Sequence, residues 1–201
     1  SREDFMDKIY PSVEEAIADI NDGAVIAIPG FFVAGVPRVL LRALIAKGVK
    51  DLTLTSGGGP LVGAVEEREM LVKNKQIKKF IDSYPFFRSA TKGMQDPFEQ
   101  AVRAGEIDLK VFPMGTLAEK YRAAGAGIPA FYTPTGAGSV VAERVVSNIP
   151  SNHRKKETRT FNGKEYILEY ALKAEFAFIH AYKGDKEGNL IYRKTARNFN
   201  P

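Results

Sequence analysis

Cysteine is absent from this 201-residue chain, which removes disulfides, thiolate metal sites and a cysteine nucleophile from consideration. Histidine is scarce. The two present, His153 and His180, stand in unrelated contexts, so a histidine-rich metal site is not expected. Long apolar runs are missing too. None approaches the roughly 18 residues of a membrane span, so no membrane association is expected. The polar start, Ser1-Arg2-Glu3-Asp4, has no signal-peptide core behind it, and the expected location is cytoplasmic, or the mitochondrial matrix in a eukaryotic source. Charge of one sign is in modest excess: the net +5 comes from lysines and arginines scattered along the chain. The densest run, His153-Arg154-Lys155-Lys156, reads as a solvated loop or as an anchor for a phosphorylated ligand. Helix-turn-helix, RRM and zinc-finger patterns are lacking, and no nucleic-acid partner is expected. Also absent are the G-x-x-x-x-G-K-[ST] phosphate loop and the G-x-S-x-G nucleophile elbow.

What is present is a repeated alternation of strand and helix. Ser12-Val13-Glu14-Glu15 has capping-box spacing and predicts a helix over 13–21. Ala24 to Ile28 reads as a buried strand. Arg38 to Lys47 reads as a helix, ended by Gly48 in the C′ role. Strands follow at 52–55, 77–83, 109–112 and 130–133, with helices over 64–73, 97–104 and 116–124 between them. Gly125-Ala126-Gly127 follows a predicted helix and so closes it rather than opening a dinucleotide site. The order implies an α/β fold: a mostly parallel open sheet with helices on both faces and right-handed crossovers. After about residue 140 the pattern turns β-rich. Asn162-Gly163 between two strand-like runs signals a hairpin, and further strands are expected at 174–181 and 190–192. The whole of 1–201 reads as a single domain with a β-rich elaboration in its last third.

The chemistry concentrates in loops that follow strands. Asp22 to Pro37 builds an apolar strand, a small-residue loop with Gly30 and Gly35, and a helix start at Pro37, where an anion or a carbonyl oxygen can be held. Ser56-Gly57-Gly58-Gly59-Pro60 is a second glycine loop, and Pro113-Met114-Gly115 and Pro134 to Ser139 follow later strands. In open α/β sheets ligands bind outside the carboxyl ends of the strands, so these loops point to one cleft. Phe31 reads either as a cleft residue or as a core aromatic. Glu165 and Glu169 fall in the predicted hairpin and are expected to face solvent, and His180 ends an apolar strand as a packed or edge residue. No complete catalytic set emerges from these residues.

Four ordered motifs, spanning about residues 22–201, carry a resemblance. Asp22 to Pro37 resembles the signature of the family I CoA-transferases, in which Asp-Gly and three apolar residues precede Gly-Gly-Phe and then Gly-x-Pro. Gly115-Thr116-Leu117-Ala118-Glu119-Lys120 is similar to their Gly-Thr-Leu-Ala-Glu-Arg, and Gly125 to Gly136 to their Gly-Ala-Gly-x-Pro-Ala-Phe-Tyr-Thr segment. Gly188 to Asn200 resembles their ending in Ala-Arg-Asn-Phe-Asn. The match is to the α subunit, or to the amino-terminal half of fused enzymes such as succinyl-CoA:3-oxoacid CoA-transferase.

The resemblance implies transfer of CoA between an acyl-CoA and a carboxylic acid by covalent relay through a glutamate. That glutamate lies in a Ser-Glu-Asn-Gly motif of the β subunit, and this chain has no such motif. The resemblance thus implies a non-nucleophilic half-site in an αβ or α2β2 assembly, with coenzyme A as substrate and no permanently bound cofactor. Its substrate- and CoA-binding residues are expected to be Gly30, Phe31, Gly35, Pro37, Ser56, Gly57, Gly58 and Gln100, with backbone N–H groups stabilising oxyanion charge. The sequence departs from the family at four places. Pro29 stands where the signature has its first glycine, removing one N–H. The Ser56–Gly59 loop lacks the asparagines of 3-oxoacid enzymes, which argues against that specificity. A cleft glutamine of those enzymes aligns with Ala101, one residue from Gln100. The family's α subunits continue beyond the equivalent of Pro201, implying a truncated or cleaved chain. The other readings are a non-catalytic acyl-CoA-binding module and a phosphosugar isomerase-like protein, for which no convincing internal acid–base residue is present.

Overall fold

The computed structural model describes residues 7–86 and 96–201; the polar start at Ser1 to Asp4 lies outside them. The elements run α1 (Val13–Ala16), β1 (Val25–Ala27), α2 (Arg38–Lys47), β2 (Leu52–Thr55), α3 (Pro60–Gly63), α4 (Val65–Lys73), β3 (Ile77–Asp82), α5 (Pro97–Arg103) and β4 (Asp108–Val111). There follow α6 (Met114–Gly125), β5 (Ala130–Thr133), α7 (Val140–Glu143), β6 (Val146–Ser147), β7 (Thr158–Phe161), β8 (Lys164–Tyr170), β9 (Phe176–Ala177), β10 (Lys183–Gly184) and β11 (Leu190–Ile191).

Local chemistry accounts for most boundaries. Ser12 Oγ accepts the Glu15 N–H at 3.1 Å, the first half of the expected capping box. Gly48 ends α2 in the left-handed region, at φ 77°. Asp96 caps α5 by accepting the Glu99 N–H at 2.8 Å, with Pro97 in the first turn. Asn162 and Gly163, at φ 49° and 74°, form the positive-φ pair that a two-residue hairpin turn requires. The first helix is shorter than its periodicity predicts. The Lys47 ammonium takes the Ile17 and Ala18 carbonyls at 2.7 and 2.6 Å, and the chain leaves α1 through a turn.

The main sheet has the order β6-β4-β3-β2-β1-β9, with β6 alone antiparallel to its neighbour. Strands β1 to β4 lie in sequential order, and α2, α4 and α5, which connect them, pack side by side on one face. There Ile26, Leu54 and Phe80 pack under Leu41, Leu44, Leu71 and Phe98, all at most 1% exposed. On the other face Tyr121 of α6 reaches Thr55 of β2, Oη to Oγ1 at 2.6 Å.

Two strands fall elsewhere than the alternation predicts. β5 does not extend the parallel sheet. It pairs antiparallel with β8 in a separate sheet of order β5-β8-β7. The place beside β4 is taken by β6, locked there by Asn148, whose Oδ1 accepts the Leu109 N–H at 2.8 Å. Conversely, β9 leaves the β-rich third and adds to β1 in parallel.

The small sheet is bolted to α6 by charge. Glu169, expected in solvent, is 3% exposed and receives Lys120 Nζ at 2.8 Å and Lys156 Nζ as well. Lys120 also donates to the Tyr170 carbonyl at 2.8 Å, and its ammonium lies 4.5 Å from the centre of the Phe112 ring. Burial holds the Lys120 ammonium below the usual lysine range, against the support of Glu169. So Lys156, the last residue of the basic run, is an internal ion-pair partner, while Arg154 and Lys155 are exposed. Glu165, near the hairpin turn, is exposed as expected.

Candidate functional site

The loops after β1 and β2 meet at the carboxyl edge of the sheet, as the positions of their small residues predict. Ile28 N–H donates to the Thr55 carbonyl at 2.8 Å, and Phe32 N–H to the Gly58 carbonyl at 3.2 Å, so the loops run side by side. Within the first loop, Phe31 and Ala34 exchange N–H···O bonds of 2.9 and 3.0 Å around a two-residue turn. Phe32, at φ 50°, occupies a turn position that favours glycine. Gly63 of α3 is the reason the strained turn can sit so low. A Cβ there would stand 2.5 Å from the Phe32 carbonyl carbon.

Gly30, Phe31, Gly57 and Gly58 are thereby brought together. A Cβ on Gly58 would lie 2.8 Å from Phe31 Cδ2 and 3.0 Å from the Gly30 carbonyl. Phe31 is 40% exposed and packs edge-on to Phe32, which in turn packs on Tyr84. Gly35 and Pro37 are buried behind the loop, with Pro37 just before the first helical residue of α2 rather than in its first turn. Gln100 is exposed on α5, and Ala101 beside it packs in the core. The loops at 113–115 and 134–139 start α6 and precede α7.

Part of the glycine demand is internal. The segment 196–200 lies across both loops: Asn198 Nδ2 donates to the Ala34 carbonyl at 3.1 Å and Asn200 Nδ2 to the Gly35 carbonyl at 3.3 Å. The Phe199 ring covers Gly57, where a Cβ would approach it to 2.7 Å. His180 is tied into the same assembly. Its N–H donates to Asn200 Oδ1 at 2.8 Å, and its Nδ1 lies 3.0 Å from the Val36 carbonyl. Gly35 and Gly57 thus make room for the chain's own residues 196–200.

The amides sort in the same way. Those of Phe31, Phe32 and Ala34 are spent inside the loops. Those of Gly30, Gly57 and Gly58 make no hydrogen bond among the described residues, although the three residues are buried. Unspent amides at a strand-end loop are the donors an incoming oxygen needs. Sequence reasoning missed three residues at this edge: Asp82, Ser83 and Tyr84, at the end of β3. The Asp82 carboxyl is fully buried; Oδ1 accepts the Ser83, Tyr84 and Gly59 N–H groups at 2.6, 3.2 and 3.3 Å. The legible signal was an acid inside an otherwise apolar strand end, Ile81-Asp82-Ser83. Among the described residues no group of three or more His, Asp or Glu side chains could hold a metal ion, and no helix is long and apolar enough to cross a membrane.

Comparison with known proteins bears on this geometry. The model of the coenzyme A transferase family matches residues 10–201. The chain belongs to that family. It is 42% identical over 198 residues to the A subunit of the succinyl-CoA:3-ketoacid coenzyme A transferase of Helicobacter pylori strain J99, covering 98% of this chain and 76% of that protein. It is 43% identical over 199 residues to the A subunit of the 3-oxoadipate CoA-transferase of Acinetobacter baylyi, covering 98% and 78%. Among solved structures, the decarboxylase AibA/AibB C56S variant superposes with a TM-score of 0.71 at 27% identity, covering 92% of this chain and 66% of that one. The glutaconate coenzyme A-transferase of Acidaminococcus fermentans gives a TM-score of 0.75 at 20% identity over 94% and 61%, a likeness of fold. The mostly parallel sheet with added β structure is thus the family's architecture, and the similar curated proteins are A subunits of CoA-transferases.

Proposed function

We propose that this chain is the A subunit of a CoA-transferase that moves CoA between an acyl-CoA and a carboxylic acid, and that a B subunit supplies the glutamate nucleophile. The observation that carries the reading is the convergence of Gly30, Phe31, Gly57 and Gly58, with three unspent amides, at the strand edge of a chain matched by the family over 10–201. In this reading the partner's glutamate attacks the thioester carbonyl. The amides of Gly30, Gly57 and Gly58 take the oxygen as it gains charge, a contribution that is often the largest in acyl transfer. Phe31 supplies an apolar wall beside the acyl group. Gly35 and Pro37 hold the loop from behind, and Ser56 starts the second loop. Gln100, exposed on α5, is kept in the set as a candidate for contact with the substrate. Coenzyme A enters as substrate, consistent with a relative of this fold solved as a thioester complex with CoA.

The two curated relatives named above carry 3-oxo acids in their names, whereas the Ser56–Gly59 loop of this chain lacks the asparagines that the resemblance to 3-oxoacid enzymes implies. The acceptor we propose is therefore a carboxylic acid that needs no side-chain amide from this loop. The test is acceptor-dependent CoA exchange from succinyl-CoA to acetoacetate, 3-oxoadipate and unsubstituted short-chain acids. It uses the chain together with the partner it draws from its native lysate. Exchange is expected from the pair and from neither chain alone. Acyl-CoA binding without exchange would leave a binding module, and isomerisation of a phosphosugar by the lone chain would overturn the reading outright.

A further inference from the structure

We propose that Asp82 is a positioning residue that sets the aim of the Gly57 and Gly58 amides through the Gly59 N–H and the Ser83 side chain, and so controls turnover rather than substrate affinity. The inference rests on the reading above of the Ser56–Gly59 loop as an oxyanion wall. Asp82 stands where three strand ends meet. Its Oδ1 accepts the Gly59 N–H from the loop after β2 and the Ser83 and Tyr84 N–H groups that follow β3, and its own carbonyl accepts the Phe112 N–H from the end of β4 at 3.1 Å. The adjacent Ser83 hydroxyl donates to the Gly57 carbonyl. The glycine loop is therefore held at both flanks of Gly58, and both ties trace back to residues 82 and 83. A loop with no side chains at 57–59 depends on such backbone ties, which the Phe32 N–H on the Gly58 carbonyl and the Phe199 ring over Gly57 complete.

The carboxyl is enclosed on every side. Oδ2 is enclosed and unpartnered, and so is the neighbouring Ser56 Oγ. Arg68 of α4 and Tyr121 of α6 feel the Asp82 charge from their own elements, but among the described residues neither makes a hydrogen bond to it, and no cation pairs with it. An enclosed carboxylate without a cation is a costly species. Burial pushes the Asp82 carboxyl above the usual carboxylate range, against the pull of Ser56 and of the Tyr84, Ser83 and Gly59 amides. Oδ1 carries the three N–H bonds, while Oδ2 sits enclosed near Ser56 Oγ with no hydrogen-bond partner. Asparagine keeps an oxygen where Oδ1 accepts the three N–H groups, and alanine removes it.

In the subunit pair, Asp82→Ala is expected to lower kcat by about 10- to 100-fold with KM for the acyl-CoA within about twofold, the pattern of lost transition-state positioning. Asp82→Asn is expected to recover kcat to within about threefold of the parent. Amide hydrogen exchange over residues 57–59, measured on the chain without its partner, should accelerate in Asp82→Ala and stay at the parent rate in Asp82→Asn. Unchanged kcat in Asp82→Ala, or an Asp82→Asn as poor as the alanine variant, overturns the inference. Should Asp82→Ala fail to fold, Ser83→Ala cuts only the tie to Gly57 and carries the same expectation of a kcat loss at constant KM; no loss there also overturns it. A parent pair that exchanges no CoA removes the functional reading instead. The hydrogen-exchange comparison then decides on its own whether Asp82 holds the loop.

Discussion

Replacing Gly35 with valine is expected to cost the subunit pair on the order of 100-fold in kcat/KM, because the new side chain evicts the segment that lies across both loops. Gly35 sits at φ 71°, where a β-branched residue is a genuine outlier. The backbone strain alone is about 1–2 kcal/mol. The larger effect is steric. A Cβ at 35 would stand 2.7 Å from Asn200 Nδ2 and 2.8 Å from the Ala196 carbonyl, and neither backbone nor amide can yield without moving residues 196–200. That movement breaks the Asn198 and Asn200 bonds to Ala34 and Gly35, frees His180, and lifts Phe199 from Gly57. The loops that carry Gly30, Gly57 and Gly58 then lose their packing against residues 196–200. Steady-state kinetics of the pair check this, with a urea titration of the chain alone to separate misplacement from unfolding. Unchanged kcat/KM would contradict the placement of the cleft.

The second large effect is on stability. Glu169→Gln leaves the Lys120 and Lys156 ammonium groups, each 7% exposed, without the carboxylate that holds both. Breaking a buried pair from one side costs about 3–5 kcal/mol, since an uncompensated charge stays behind. The Phe112 ring and the Tyr170 carbonyl offset a part of it. The pH dependence has a definite sign. Burial already holds Lys120 below the usual lysine range, and loss of Glu169 pushes it lower. Between the folded and unfolded lysine values the unfolded chain binds more protons, so stability of the variant rises as pH rises through that window. Urea midpoints of parent and variant at neutral and alkaline pH test this. A variant as stable as the parent at neutral pH would show that the bridge holds nothing.

The parallel core is readable from the sequence because its signals are local. Gly48, Asp96-Pro97 and Asn162-Gly163 each fix a boundary by their own backbone chemistry, and Leu52 to Thr55 is apolar enough to be a strand wherever it pairs. Pairing itself is not local. Ala130 to Thr133 reads the same beside β4 as beside β8, and what excludes it from the parallel sheet is Asn148, further along the chain and with no pattern of its own. Glu169 was within reach. It shares a face with Ile167 at a spacing of two, and Ile167 is wholly buried, but a charged residue in a hairpin strand carries the opposite signal. At the site, the glycines were visible and their neighbours were not. That the Phe199 ring packs against the Gly57 α-carbon, and that Asp82 reaches back to Gly59, depends on contacts across 23 residues or more that no spacing records.

The decisive measurement is the intact mass of each chain after the reconstituted pair is incubated with acyl-CoA and no acceptor acid. An increment equal to the CoA thioester is expected on the partner chain, with this chain at its unmodified mass. An increment on this chain would contradict its assignment as the half-site that aims the amides and carries no nucleophile.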